Sequence, residues 1–252
     1  VVGKRLSSIG RIAGFCSAKG GVGKTMCTAV AGIALAGRGK RVGILDLDLQ
    51  GASTHVFLGV HPGLPKEDKG ILPIPVLDNL HLMSVAAFTG ELPLALRGAE
   101  VSEALRELLA VTQWGTLDYL FIDMPPGIGD EVLDLARLIP HMEAIVVSTP
   151  SQVSVAVVER LLAVLGEMHI AVPGVIANMV RESAESVKDL ARRCGVTFAG
   201  EVQYEPGIES AVGAPGALGR TGAATALLLA LEMMRFSPAP IIRGIPRRGG
   251  TG

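Results

Sequence analysis

Aromatic residues are scarce in this 252-residue chain: one Trp, two Tyr and six Phe make up 4% of it. A core with so few rings must be aliphatic, and 49% of the chain is hydrophobic, with 32 glycines. That profile suits a large sheet buried under Ala- and Leu-rich helices. Cysteine is scarce too. Cys16, Cys27 and Cys194 include no Cys-x-x-Cys pair, which fits a reducing cytosol, so a cytoplasmic location is expected. The first two fall in apolar runs and read as packing residues. An excess of one charge is also missing. With 23 Lys and Arg against 24 Asp and Glu, the formal net charge is −1, which gives no electrostatic case for nucleic acid. No apolar run reaches the roughly eighteen residues that a membrane helix needs, so no transmembrane segment is expected. Lys4 and Arg5 precede no apolar signal core, so no secretion signal is read.

What is present centres on Ser17-Ala18-Lys19-Gly20-Gly21-Val22-Gly23-Lys24-Thr25. An apolar run, Ile12 to Cys16, reads as a buried strand before it. Met26 to Ala36, small and apolar, reads as a buried helix after it. Strand, glycine loop and helix are the setting of a phosphate-binding loop. The glycines let successive backbone N–H groups converge, and the helix N-terminus adds partial positive charge there. Residues Ala18 to Met26 are expected to wrap the phosphates. Lys24 would reach the β- and γ-phosphates, and the Thr25 hydroxyl would take a position on Mg²⁺.

The chain then alternates. Strands are read at Lys40–Asp46, Leu80–Val85, Leu117–Asp123, Ala144–Ser148 and Gly174–Asn178. Helices are read at Ala99–Gln113, Glu131–Ile139, Val153–His169, Ser183–Cys194 and Thr221–Phe236. Residues 1–11 read as a polar leader, and 59–79, rich in Gly and Pro early on, as an irregular surface excursion. The alternation predicts an α/β fold, a doubly wound, mostly parallel sheet with helices on both faces. Residues 1–236 are expected to form one domain of this P-loop NTPase type. The Pro-, Gly- and Arg-rich tail 237–252 is expected to be mobile, its prolines (Pro238, Pro240, Pro246) ruling out an amphipathic helix.

Two of the strands end in aspartate, and ligands of such sheets bind beyond the carboxyl ends of the strands. Asp46 ends an apolar strand and wants a lysine or a hydrated metal as partner. Asp123 fits the role of holding an Mg²⁺-bound water. Asp48 lies just past its strand, where it either orients an attacking water or caps a turn. Gly127, with a free N–H, is placed to sense the γ-phosphate.

Lys-Gly-Gly-Val-Gly-Lys-Thr (residues 19–25) resembles the deviant Walker A loop of the ATPases that include MinD, ParA, nitrogenase iron protein and the Mrp/ApbC iron–sulfur carriers. The resemblance implies an ATP-bound homodimer, or a heterodimer with a paralogue, in which Lys19 acts on the partner's nucleotide. Trp114-Gly115-Thr116-Leu117-Asp118-Tyr119, followed by Ile122-Asp123-Met124-Pro125-Pro126-Gly127-Ile128-Gly129-Asp130, resembles the Mrp/ApbC family more narrowly. Arg97-Gly98, Ser148-Thr149-Pro150 and Asn178-Met179 match the same pattern. By this resemblance Asn178 bonds the adenine base, Glu205-Pro206 lies along its edge, and an iron–sulfur client protein is implied.

The resemblance stops where the carriers place a Cys-x-x-Cys loop, because Asn178-Met179-Val180-Arg181-Glu182 runs straight into the next helix. A symmetric dimer would offer two Cys194 sulfurs where a [4Fe–4S] cluster wants four ligands. This chain alone is therefore not expected to hold a cluster. Three readings follow: a switch ATPase of metallocluster assembly, slow and stimulated by a partner; a positioning ATPase acting on membrane or nucleoid; or a small-molecule kinase, against which Lys19 argues.

Overall fold

The computed structural model describes residues 2–48, 51–61, 63, 65–89, 99–127, 129–139 and 141–237. Gln50, Arg97-Gly98, Ile128 and the tail beyond Ser237 lie outside the described residues. The strands are β1 (Ile9–Cys16), β2 (Val42–Asp46), β3 (Ile74–Leu77), β4 (Leu80–Ser84), β5 (Leu117–Asp123), β6 (Glu143–Ser148), β7 (Gly174–Val180) and β8 (Phe198–Gln203). They form one sheet of eight strands in the order β3-β4-β2-β5-β1-β6-β7-β8. Every pairing is parallel except β3 with β4.

The helices are α1 (Val2–Leu6), α2 (Lys24–Ala36), α3 (Thr54–Leu58), α4 (Ala86–Thr89), α5 (Ala99–Val111), α6 (Asp130–Leu138), α7 (Gln152–Glu167), α8 (Glu185–Arg193), α9 (Gly207–Ala211), α10 (Pro215–Leu218) and α11 (Gly222–Met233). Among the described residues, none of them is long and apolar enough to cross a membrane.

Both faces of the sheet are covered, as the continuous apolar strands predict. Alternate residues divide between two cores: Ala144 and Val146 of β6 pack with Leu135 of α6, Leu161 of α7 and Leu190 of α8. Ile145 and Val147 pack with Cys27 and Val30 of α2 and Leu227 of α11. Helix α2 lies close on the sheet because Gly32 has no side chain, since a Cβ there would fall 2.6 Å from Cδ1 of Ile44. This proximity anchors the phosphate loop that precedes the helix.

Three readings need correction. Residues 2–11 pack into the fold. Leu6 and Ile9 are buried, β1 starts at Ile9 opposite Leu117, and the Arg5 guanidinium donates to the Ala110 carbonyl at 3.1 Å. The 59–79 segment contains β3, an antiparallel edge strand, where Pro75 is tolerated. Strand β8 was not read at all, because Gly200 and Glu201 interrupt its apolar pattern.

Candidate functional site

Lys24 opens α2, and Gly23 before it takes φ 79°. Glycine is needed there twice over: the backbone is left-handed, and a Cβ would fall 2.4 Å from the Asn178 amide nitrogen. That amide donates to the Val22 carbonyl at 2.8 Å, so the end of β7 is clamped to the loop. A cavity of about 400 Å³ opens between Gly20–Met26 on one side and Asn178, Tyr204 and Pro206 on the other. Asp48 and Ser53 close a third side.

Asp46 and Asp123 sit opposite each other on adjacent strands, and both are fully buried. Asp123 gathers the cation. Its carboxylate accepts from the Lys24 ammonium at 2.5 Å and from the Thr25 hydroxyl at 2.7 Å. The hydroxyls of Thr28 and Thr54 stand at 3.3 Å each. Asp46 instead takes the backbone N–H of Asp48 at 3.2 Å, that of Thr54 at 3.1 Å and the Ser84 hydroxyl at 3.5 Å. Of the two partners expected for Asp46, a lysine or a hydrated metal, the lysine in reach binds the neighbouring Asp123 instead. Burial, reinforced by the charge on Asp123, pushes the Asp46 carboxyl up to about 7, against the pull of those N–H donors.

Most of the sequence-predicted residues meet here. Gly20, Gly21, Val22, Gly23, Lys24, Thr25, Met26, Asp48, Asn178 and Pro206 line the cavity. Asp48 also caps a turn, accepting the Gly51 N–H at 3.0 Å. Ala18, Lys19, Asp46, Asp123 and Gly127 stand outside the lining, and Lys19 is exposed, without an ion-pair partner among the described residues. One expectation fails in detail. The Gly127 N–H is not free but donates to the Ser17 carbonyl at 2.9 Å, which ties the loop after β5 to the loop after β1. Thr28 and Thr54 were missed. Thr28 lies one helical turn past Lys24, a spacing that marks a shared face. Thr54 arrives from the start of a separate helix, α3, with no local signal.

These groups fit a magnesium nucleotide. A Cβ on Gly20 or Gly21 would meet nothing within 4 Å, so the backbone cradle is open. The Asn178 carbonyl oxygen and the Ser17 hydroxyl are buried without partners. A hydroxyl and two carboxylates converge beside the loop, the oxygen chemistry that Mg²⁺ prefers.

The fold and the loop define a P-loop nucleoside triphosphatase with a deviant Walker A motif, of the MinD/ParA superclass. A family model described as "ParA: NUBPL iron-transfer P-loop NTPase" matches residues 8–214, and the chain belongs to that family, in its Mrp/ApbC-type branch. The iron-sulfur cluster carrier protein of Saccharolobus solfataricus is 36% identical over 214 residues, which span 79% of this chain and 72% of that protein. The protein of the same name from Methanocaldococcus jannaschii is 37% identical over 205 residues, 75% and 71% of the two chains.

Among solved structures, a nucleotide-binding protein in complex with ADP from Archaeoglobus fulgidus superposes with a TM-score of 0.78 at 27% identity, over 95% of this chain and 98% of that one. The septum site-determining protein MinD complexed with Mg-ADP from Pyrococcus horikoshii gives a TM-score of 0.66 at 25% identity, over 88% and 95%.

Proposed function

We propose that the chain is a cytoplasmic, Mg-ATP-dependent dimeric switch ATPase of iron–sulfur cluster assembly or delivery that does not hold a cluster by itself. The observation that carries this reading is the buried Lys24–Asp123 pair, joined by the half-buried Thr25 hydroxyl, beside a glycine cradle. The relatives named as carriers support the cargo.

The residues divide the work. Backbone N–H groups of residues 20–25 and the start of α2 hold the phosphates, and Lys24 offsets their charge. Thr25, Asp46 and Asp123 would hold Mg²⁺ directly or through its waters, and the bound ion would neutralise charge on the phosphate oxygens. Asp48 orients the attacking water; catalysis of phosphoryl transfer is mainly positioning, so a carboxylate with one oxygen fixed by Gly51 suffices. Asn178, its amide nitrogen spent on Val22, turns an acceptor to the base. Pro206 borders the base. Gly127 exchanges the Ser17 carbonyl for the γ-phosphate, and this exchange is the switch. Lys19, exposed, reaches the nucleotide of the second protomer, a copy of the chain or a cysteine-bearing paralogue. Turnover is slow until a client or partner binds.

The test is metal analysis of protein purified without oxygen, beside sizing with and without Mg-ATP. A nucleotide-dependent dimer with little bound iron is expected. A monomer under all conditions, or a lone chain that retains four irons per dimer, would overturn the reading. A second reading, a positioning ATPase, is favoured by the likeness to MinD and by the missing Cys-x-x-Cys. Co-sedimentation with liposomes or DNA only when ATP is present would select it.

A further inference from the structure

The strands that carry Asp46 and Asp123 begin at a second cavity. It measures about 680 Å³ and lies at the amino ends of three strands: Arg41 precedes β2, Asn79 precedes β4, and Trp114 and Thr116 precede β5. Lys66 and Leu72 close the other side. It shares no lining residue with the nucleotide cavity. The intervening strands separate the two by roughly 17–23 Å, at about 3.3 Å per residue.

Trp114 is the unexplained group. Its ring packs on the backbone of β2, where a Cβ on Gly43 would fall 2.7 Å from Cζ3. The residue is 6% exposed, yet its indole N–H is buried with no acceptor. A buried indole N–H ordinarily finds a partner. Thr116 and Leu117 of the same segment also line the cavity, and Asp118 takes the Arg41 backbone N–H at 2.8 Å and its guanidinium at 3.4 Å. Phosphate-loop chemistry leaves this whole segment unused.

The lining has a sign and a shape. Arg41 and Lys66 stand against a single carboxylate, Asp78, among the described lining residues, with Arg41 also paired to Asp118; burial lowers the His81 pKa, so that imidazole favours its neutral form. Leu72, Ile74, Leu117 and the indole supply apolar wall. No group of three or more carboxylates, imidazoles and thiols among the described residues is arranged to hold a metal ion. The volume falls within the range of small-molecule sites, about 300–1,000 Å³, which are apolar with a few placed polar groups.

We propose that this cavity is a second ligand site, independent of the nucleotide's, for a small organic anion. Its carboxylate or phosphate is held by Lys66 and Arg41, and its apolar body lies on Trp114, Leu72 and Leu117.

Trp114 is the one tryptophan of the chain, so tryptophan emission reports on this cavity alone. Phenyl phosphate is titrated against the full chain, with benzyl alcohol as the neutral comparison and calorimetry as a second readout. A saturable change in emission with phenyl phosphate is expected, undiminished by saturating Mg-ADP and absent with benzyl alcohol. Lys66→Glu should weaken phenyl phosphate binding about tenfold, a shift of the size one lost ion contact gives, with ATP turnover unchanged. No saturable response in the unaltered chain, an equal response to benzyl alcohol, or displacement by Mg-ADP would each overturn the proposal. These wild-type outcomes decide it even should the variant fail to fold.

Discussion

Asp46 and Asp123 end neighbouring strands, opposite each other in the sheet, and each is sealed from water. Their surroundings differ in one respect. Asp123 has an ammonium and three hydroxyls; Asp46 has two backbone N–H groups and one hydroxyl, but no cation. A buried carboxylate with a cation partner is a settled structure, whereas one without is a structure awaiting charge. The pair thus divides into a member that completes the fold and a member whose charge the fold alone leaves uncompensated.

Lys24→Ala tests the settled member and should have the largest effect. Nucleotide binding should be lost, and the chain should lose about 3 kcal/mol of stability, because a buried carboxylate is left without its cation. The double variant Lys24→Met, Asp123→Asn should regain much of that stability while binding stays lost. Urea melts and a fluorescent ATP analogue separate the two readouts. Retained binding in Lys24→Ala would remove the phosphate role from Lys24.

Asp48 sits outside this pair, at the cavity wall, with one oxygen occupied by the Gly51 N–H. Asp48→Ala should leave ATP affinity within a few-fold and cut turnover on the order of 100-fold, the scale of losing one positioned group. Unchanged turnover, measured by phosphate release, would leave Asp48 as a turn cap and nothing more.

How far these roles were legible in the sequence follows from where their causes lie. The strand–loop–helix of residues 12–36 is local in sequence, so its residues and the two aspartate-ended strands could be read directly. Which carboxylate receives Lys24 is a matter of strand order: β5 lies between β1 and β2, and no short-range pattern records that. Thr54 reaches Asp123 across 69 positions of sequence, and the bond from the Gly127 N–H to the Ser17 carbonyl spans two loops. The edges of the sheet were hardest, because β3 carries a proline and β8 a glycine, residues that read as loop unless a neighbouring strand is known.

Asp46→Asn probes the member without a cation through pH. Burial raises the folded carboxyl to about 7, above its ordinary 3.8. Between those values the native chain holds a proton that the unfolded chain has released. Stability without nucleotide should therefore fall as pH rises through that window and level off above it. Asp46→Asn should flatten the slope, narrowing the difference between pH 5 and pH 8 by on the order of 2 kcal/mol. Equal slopes for the two proteins in urea melts would show that Asp46 is not the group responsible.

The smallest effect belongs to the far wall of the cavity, where β7 meets the glycine loop. Unlike the carboxylates, Asn178 gains its role from being half satisfied. Its nitrogen is fixed on Val22, which sets the orientation of the amide, and its oxygen is left as a buried acceptor without a donor. An acceptor there favours a base carrying an amino group over one presenting a carbonyl, because the mismatched base leaves two acceptors facing each other. Asn178→Ala removes both the acceptor and the clamp on Val22. ATP should then lose about tenfold in affinity, the scale of one or two hydrogen bonds, while GTP changes little. Competition titrations with ATP and GTP against the same fluorescent analogue measure the ratio. A parallel loss for both nucleotides would assign Asn178 to holding the loop in shape rather than to reading the base.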